Sequence, residues 1–145
     1  MRRGRKVAIG CLCAPLLAAL FFLVATSPTP MKTPPGEDWL ATWIRPSFPV
    51  DPANLVFVGG ISRREPLVVF EVRGPVPDLE GFRRETDECG RLVRDFKAAA
   101  GKFKFSFDVP DDSEVFAKFV ETKTDAGTLY VLKSRNRAYV VYSRL

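Results

Sequence analysis

"TLYVLKSRNRAYVVYSR", Thr128 to Arg144, sets two β-rich runs on either side of "RNR". Valine, leucine and tyrosine dominate both runs, so each reads as a strand and the pair as a hairpin. Asn136 is the residue expected to take the positive φ of a tight turn, which leaves Arg135 and Arg137 at the tip. A lone hairpin is marginal in water, so other strands must flank it.

Upstream, "NLVFVGGISRREPLVVFEV" supplies two more, Leu55 to Val58 and Leu67 to Val72, around a turn with Gly59, Gly60, Arg63 and Arg64. Val68, Phe70 and Val72 then share a face. "KFKFSFD" alternates strictly, with Phe103, Phe105 and Phe107 on one side and Lys102, Lys104 and Ser106 on the other, the pattern of a strand with one buried face. Between these, Pro77-Asp78 opens a helix. Leu79, Phe82, Thr86, Cys89, Val93, Phe96 and Ala100 recur every three or four residues along it, and Gly101 ends it. "PDDSEVFAKFVETK" is ambiguous. Val115, Phe116, Phe119 and Val120 fit helical spacing after a cap at Asp112 or Ser113, whereas a strand from near Phe116 fits as well; the short helix is preferred. The expected fold class is α+β, a small, mainly antiparallel sheet of about five strands. One long helix, joined by a short one if 113–120 is helical, covers a single face.

The chain has 145 residues, and once its apolar leader and proline-rich stretch are set aside roughly 95 to 105 remain, enough for one core. The domain expectation is a signal-anchor or signal peptide at 1–25, a linker and juxtamembrane segment at 26–50, and the α+β domain at 51–145. The leader pairs "MRRGRK" with nineteen uncharged residues, Val7 to Ala25. As a helix these span about 28 Å, close to bilayer thickness, while the apolar cores of cleaved signals usually hold about 7 to 15 residues. Retention as a transmembrane helix is preferred; cleavage after Ala25, giving a secreted or periplasmic protein, is the alternative. The basic tip keeps the N-terminus cytoplasmic in both readings, and the remainder is extracytoplasmic. "AIGC" at Ala8 to Cys11 only faintly matches a lipoprotein box, and Cys11 and Cys13 read as small apolar residues of the leader.

"TSPTPMKTPPGED", Thr26 to Asp38, holds four prolines and reads as an extended spacer. Glu37 and Asp38 then suit a helix start, and Trp39, Leu40, Trp43 and Ile44 share a helical stripe ended by Pro46. Trp39 and Trp43 either cap the core, the preferred reading, or dock on a headgroup layer or partner.

The net charge is +5, but Arg2, Arg3, Arg5 and Lys6 belong to the leader, leaving 18 of the 22 basic residues against 17 acidic ones. Nucleic acid is therefore not an expected partner. The chain has no histidine, which excludes Ser/His/Asp and Cys/His catalysis and histidine-bearing zinc sites. Glycine-loop phosphate motifs are missing too, and Gly59-Gly60 alone marks a turn. Cys89 is the single cysteine after the leader, so no disulfide can form within the domain, and its place on the helix stripe favours an inert thiol. Asp108, Asp111, Asp112 and Glu114 lack the spacing of a calcium loop. Asp87, Glu88 and Asp95 occupy a solvated helix face. No catalytic residue, cofactor or metal is expected. The membrane is the expected partner through residues 7–25, and another membrane or envelope protein is a further candidate. Trp39, Trp43, Arg135 and Arg137 are the candidate partner-binding residues. The expected function is a membrane-tethered binding or assembly module; an enzyme using carboxylates or Cys89, or a small-ligand carrier, is the alternative.

Overall fold

A computed structural model of the chain describes residues 15–23, 28–62, 66–86, 89–104 and 108–144. Residues 15–23 form helix α1. Then come β1 (Thr29–Pro30), α2 (Glu37–Trp43), a 3-10 turn (Pro52–Asn54), β2 (Leu55–Ser62), β3 (Leu67–Val72), β4 (Arg83–Glu85), α3 (Cys89–Phe103), β5 (Glu114–Glu121), β6 (Ala126–Lys133) and β7 (Ala138–Ser143). The strands make one antiparallel sheet in the order β1-β2-β3-β7-β6-β5-β4. After β3 the chain crosses to the far edge as β4, passes along one face as α3, and returns by the β5-β6-β7 meander to meet β3. The α+β class therefore holds, with seven strands where about five were expected.

Both faces of the sheet are covered. Strand alternation sends Val68, Phe70, Val72, Leu129, Val131, Ala138, Val140 and Tyr142 to one side, where they pack with Leu40 and Trp43 of α2 and with Ile44 and Phe48 behind it. It sends Leu67, Val69, Val115, Leu132, Tyr139 and Val141 to the other, under Val93, Phe96 and Ala100 of α3. The predicted stripe of α3 is thus the packed one from Val93 onward. The expectation of helices on a single face is corrected, since β3, β6 and β7 are apolar on both sides and each side needs its own cover.

Several elements differ from expectation for local reasons; β2 runs through Gly59 and Gly60, expected in a turn, and pairs them with Val69 and Val68. The long helix begins at Cys89, not near Pro77: Gly81 takes φ +79, and Phe82 N–H bonds the Leu79 carbonyl at 3.0 Å, a type II turn that ends any helical run. Arg83 to Glu85 then pair with Ala117 to Val115 as an edge strand. The helix also runs past Gly101 to Phe103, and Lys104, at φ 57, supplies the left-handed residue that stops it. Phe103 therefore belongs to the helix and not to a strand, while Phe105 to Phe107 lie outside the described residues. The preferred short helix at 113–120 is instead β5, whose pairing with all of β6 outweighs its ambiguous period.

The stretch expected as spacer is described from Pro28 onward, and there it packs on the sheet. Thr29 and Pro30 pair with Ser62 and Ile61, and the Thr29 and Ser62 hydroxyls lie 2.8 Å apart. Met31 crosses Gly60, where a Cβ would meet its sulfur at 2.8 Å.

Candidate functional site: the basic end of the sheet

The β6–β7 connection is closed by Ser134. Its N–H donates to the Arg137 carbonyl at 2.8 Å, and its hydroxyl accepts from Arg137 N–H at 3.3 Å, standing where a backbone carbonyl otherwise would. Asn136 accordingly has no positive φ, which corrects the expected turn chemistry. Arg135 and Asn136 stand exposed at the tip, flanked by a depression on either side.

The first depression, about 370 Å³, lies at the end of β3, β6 and β7 around Ala138. Ala138 is in register with Val72 of β3 on one side and Lys133 of β6 on the other, and all three line it. Val72, Val76 and Ala138 contribute apolar floor, while Arg73, Lys133, Arg135, Arg137 and Glu71 bring four cations and one carboxylate around it. Arg73, Lys133 and Arg135 carry no side-chain ion pair or hydrogen bond among the described residues. Arg137 differs: its Nη1 lies 3.3 Å from Asp108 Oδ2, and the Tyr139 hydroxyl donates to the Asp108 carbonyl at 3.1 Å. The Tyr139 phenol oxygen foremost, then Asp108 and Glu71, hold the Arg137 guanidinium above its ordinary value. The second depression, about 300 Å³, brings Asp108, Pro110 and Asp112 against the same hairpin.

A third hollow, about 660 Å³, lies across β4, β5, β6 and the start of α3, lined by Arg83, Glu85, Leu92, Phe119 and Tyr130 among others. Phe119 is 62% exposed there, the one large apolar side chain so exposed among the described residues outside α1. β4 pairs with β5 no further than Ala117, so Phe119 to Glu121 form an uncovered strand edge.

Of the candidate binding residues, Arg135 and Arg137 thus share one surface. Trp43 is buried and Trp39 half-buried, both against Tyr142, with ring centres 5.0 and 5.1 Å from it. They lie in the core cluster of the α2 face, away from the hairpin tip. Arg63, Arg64, Asp87 and Glu88 lie outside the described residues, as does the side chain of Cys89. Asp111 accepts from Lys97 at 2.6 Å, and that hydrogen bond and charge hold its carboxyl below the usual range. Among the described residues no group of three or more acidic or thiol side chains has metal-binding geometry.

Arg73 and Lys133 were not legible as site residues. Their only signal is adjacency to Val72 and Ser134, and it acquires meaning once β3 is known to lie beside β7. Comparison of the chain with protein families, curated proteins and solved structures finds no match.

Proposed function

We propose that this protein is a membrane-tethered, extracytoplasmic binding or assembly module without catalytic activity. The observation that carries the proposal is α1. Leu16, Leu17, Leu20, Phe21, Phe22 and Leu23 all stand between 58% and 77% exposed, an apolar surface on every side of a helix that water disfavours and a lipid phase accepts. Among the described residues no helix is long and apolar enough to cross a membrane. The described nine residues of α1 span about 13.5 Å, and the uncharged run that contains them continues in sequence from Val7 to Ala25. The absence of histidine and the open, charged depression at the hairpin both favour docking over chemistry.

The test is carbonate extraction of membranes from cells expressing the full chain, with N-terminal sequencing of the product. Retention in the carbonate-resistant pellet with the leader intact is expected. A soluble product beginning at Thr26 refutes the tether.

A further inference from the structure

We propose that the depression beside the β6–β7 hairpin docks an acidic, partly apolar segment of a partner protein, gripped by Arg73, Lys133 and Arg135 over a floor of Val72, Val76 and Ala138. This rests on the binding-module reading and names the partner's chemistry.

Charge complementarity is the first argument. Three cations without side-chain partners among the described residues converge on one hollow that holds a single carboxylate, Glu71. Elsewhere on the domain several basic side chains answer acids, Arg83 to Glu85 at 2.7 Å, Arg84 to Glu114 at 2.6 Å, Lys97 to Asp111 at 2.6 Å and Arg144 to Asp125 at 2.8 Å, and others, such as Lys32 and Lys123, have no acidic partner among the described residues but do not share a hollow described above. An open concentration of like charge attracts an opposite one and steers its approach. Half-buried Val76 adds an apolar contact beside the cations, which a peptide side chain can use and a bare headgroup cannot.

Position is the second argument: the hollow and the tether lie at opposite ends of the sheet. β1 joins the sheet at Ser62, and β3 and β7 place Ser62 and Ser143 at one end and Val72 and Ala138 at the other. The hairpin is therefore about 20 Å along the strands from the point where the leader enters. Only four residues, 24–27, separate α1 from Pro28, so the leader end of the sheet stays within about 19 Å of α1. The hairpin is carried at the opposite end of the sheet from that attachment.

The test uses the full chain in a neutral detergent and a short fluorescent peptide alternating glutamate and leucine, with a glutamine-leucine peptide as its uncharged counterpart. The acidic peptide is expected to bind, to weaken as salt rises, and to exceed its counterpart by about tenfold. The triple variant R73Q/K133Q/R135Q should lose about tenfold in affinity with its melting temperature unchanged, since all three side chains are exposed. K97Q, on the α3 face, should leave binding intact. Equal binding of the two peptides by the unmodified protein, failure of the acidic peptide to bind, or an unaffected triple variant overturns the proposal. So does co-sedimentation with phosphatidylglycerol vesicles that the triple variant loses, which would assign the surface to lipid. Because the measurement is made in detergent, its outcome is independent of whether the leader is retained in cells.

Discussion

At Tyr142 a single side chain ties three elements together. Its ring meets Trp39 edge-on and Trp43 at a tilt, and it passes so close over Gly127 that a Cβ there would lie 2.7 Å from ring carbons and hydroxyl. Each aromatic contact is worth about 0.5 to 1.5 kcal/mol beyond area burial, and together they fix the ring in place. Gly127→Ala therefore has nowhere to push it, and should cost about 1 to 3 kcal/mol in urea unfolding. Gly90→Ala is the control, because nothing lies within 4 Å of a Cβ at that position. Burial also raises the Tyr142 phenol above its ordinary value of 10.0, with Asp125 adding to the shift and Arg144 opposing it. Above about pH 10 the unfolded chain releases this proton while the folded chain keeps it, so stability is intact below that point and falls as pH rises through the window. An absorbance titration of the tyrosines should show a late component that Tyr142→Phe removes. Loss of no late component in that variant would mean the ring is not shielded as described.

The two turns of the β5-β6-β7 meander repeat one device. Thr122 N–H bonds the Asp125 carbonyl at 2.7 Å and the Thr122 hydroxyl accepts from Asp125 N–H at 3.1 Å, as Ser134 does with Arg137. A hydroxyl at the first turn residue thus replaces the glycine or asparagine that tight hairpins usually need. Thr122→Val and Ser134→Ala should each cost about 0.5 to 1.5 kcal/mol, adding in the double variant because the turns lie at opposite ends of β6. Melting of the two single variants and the double one checks this; an unchanged Ser134→Ala would assign closure to the backbone alone. The apolar alternation of 128–144 was legible as a hairpin because one side of it faces each core. Its turn was misread because the Ser134 hydroxyl does the work assigned to Asn136. β5 was misread as a helix because its outward members confuse the period: Val115 is fully buried under α3, whereas Phe119, on the same face four residues on, lies beyond that cover. Val115→Ala should accordingly cost about 2 kcal/mol, and Phe119→Ser should stay within about 0.5 kcal/mol, in the same melting series. β4 left no readable trace, since "RRE" becomes a strand only through the partner that β5 presents to it.

For the molecule as a whole, the sheet separates two ends that differ in attachment. The end with Ser62, Ser143 and the β5–β6 turn receives the leader, and there Asp125 pairs with Arg144. The other end carries Arg73, Lys133 and Arg135 without side-chain partners among the described residues. The candidate site became readable only at this scale, because Arg73 and Arg135 are far apart in sequence and meet through the β3–β7 pairing, a contact that no local period encodes. The arrangement makes a directional prediction. With Cys11, Cys13 and Cys89 replaced by serine, a cysteine at position 135 in the variant R135C should be modified by a membrane-impermeant maleimide added outside intact cells stripped of any outer barrier, since the tip is exposed and the proposed topology puts it outside the cytoplasm. A cysteine in the variant R5C should react only after the cells are permeabilised. Reaction of R5C in intact cells, with R135C protected, would reverse the topology and place the basic hairpin on the cytoplasmic side.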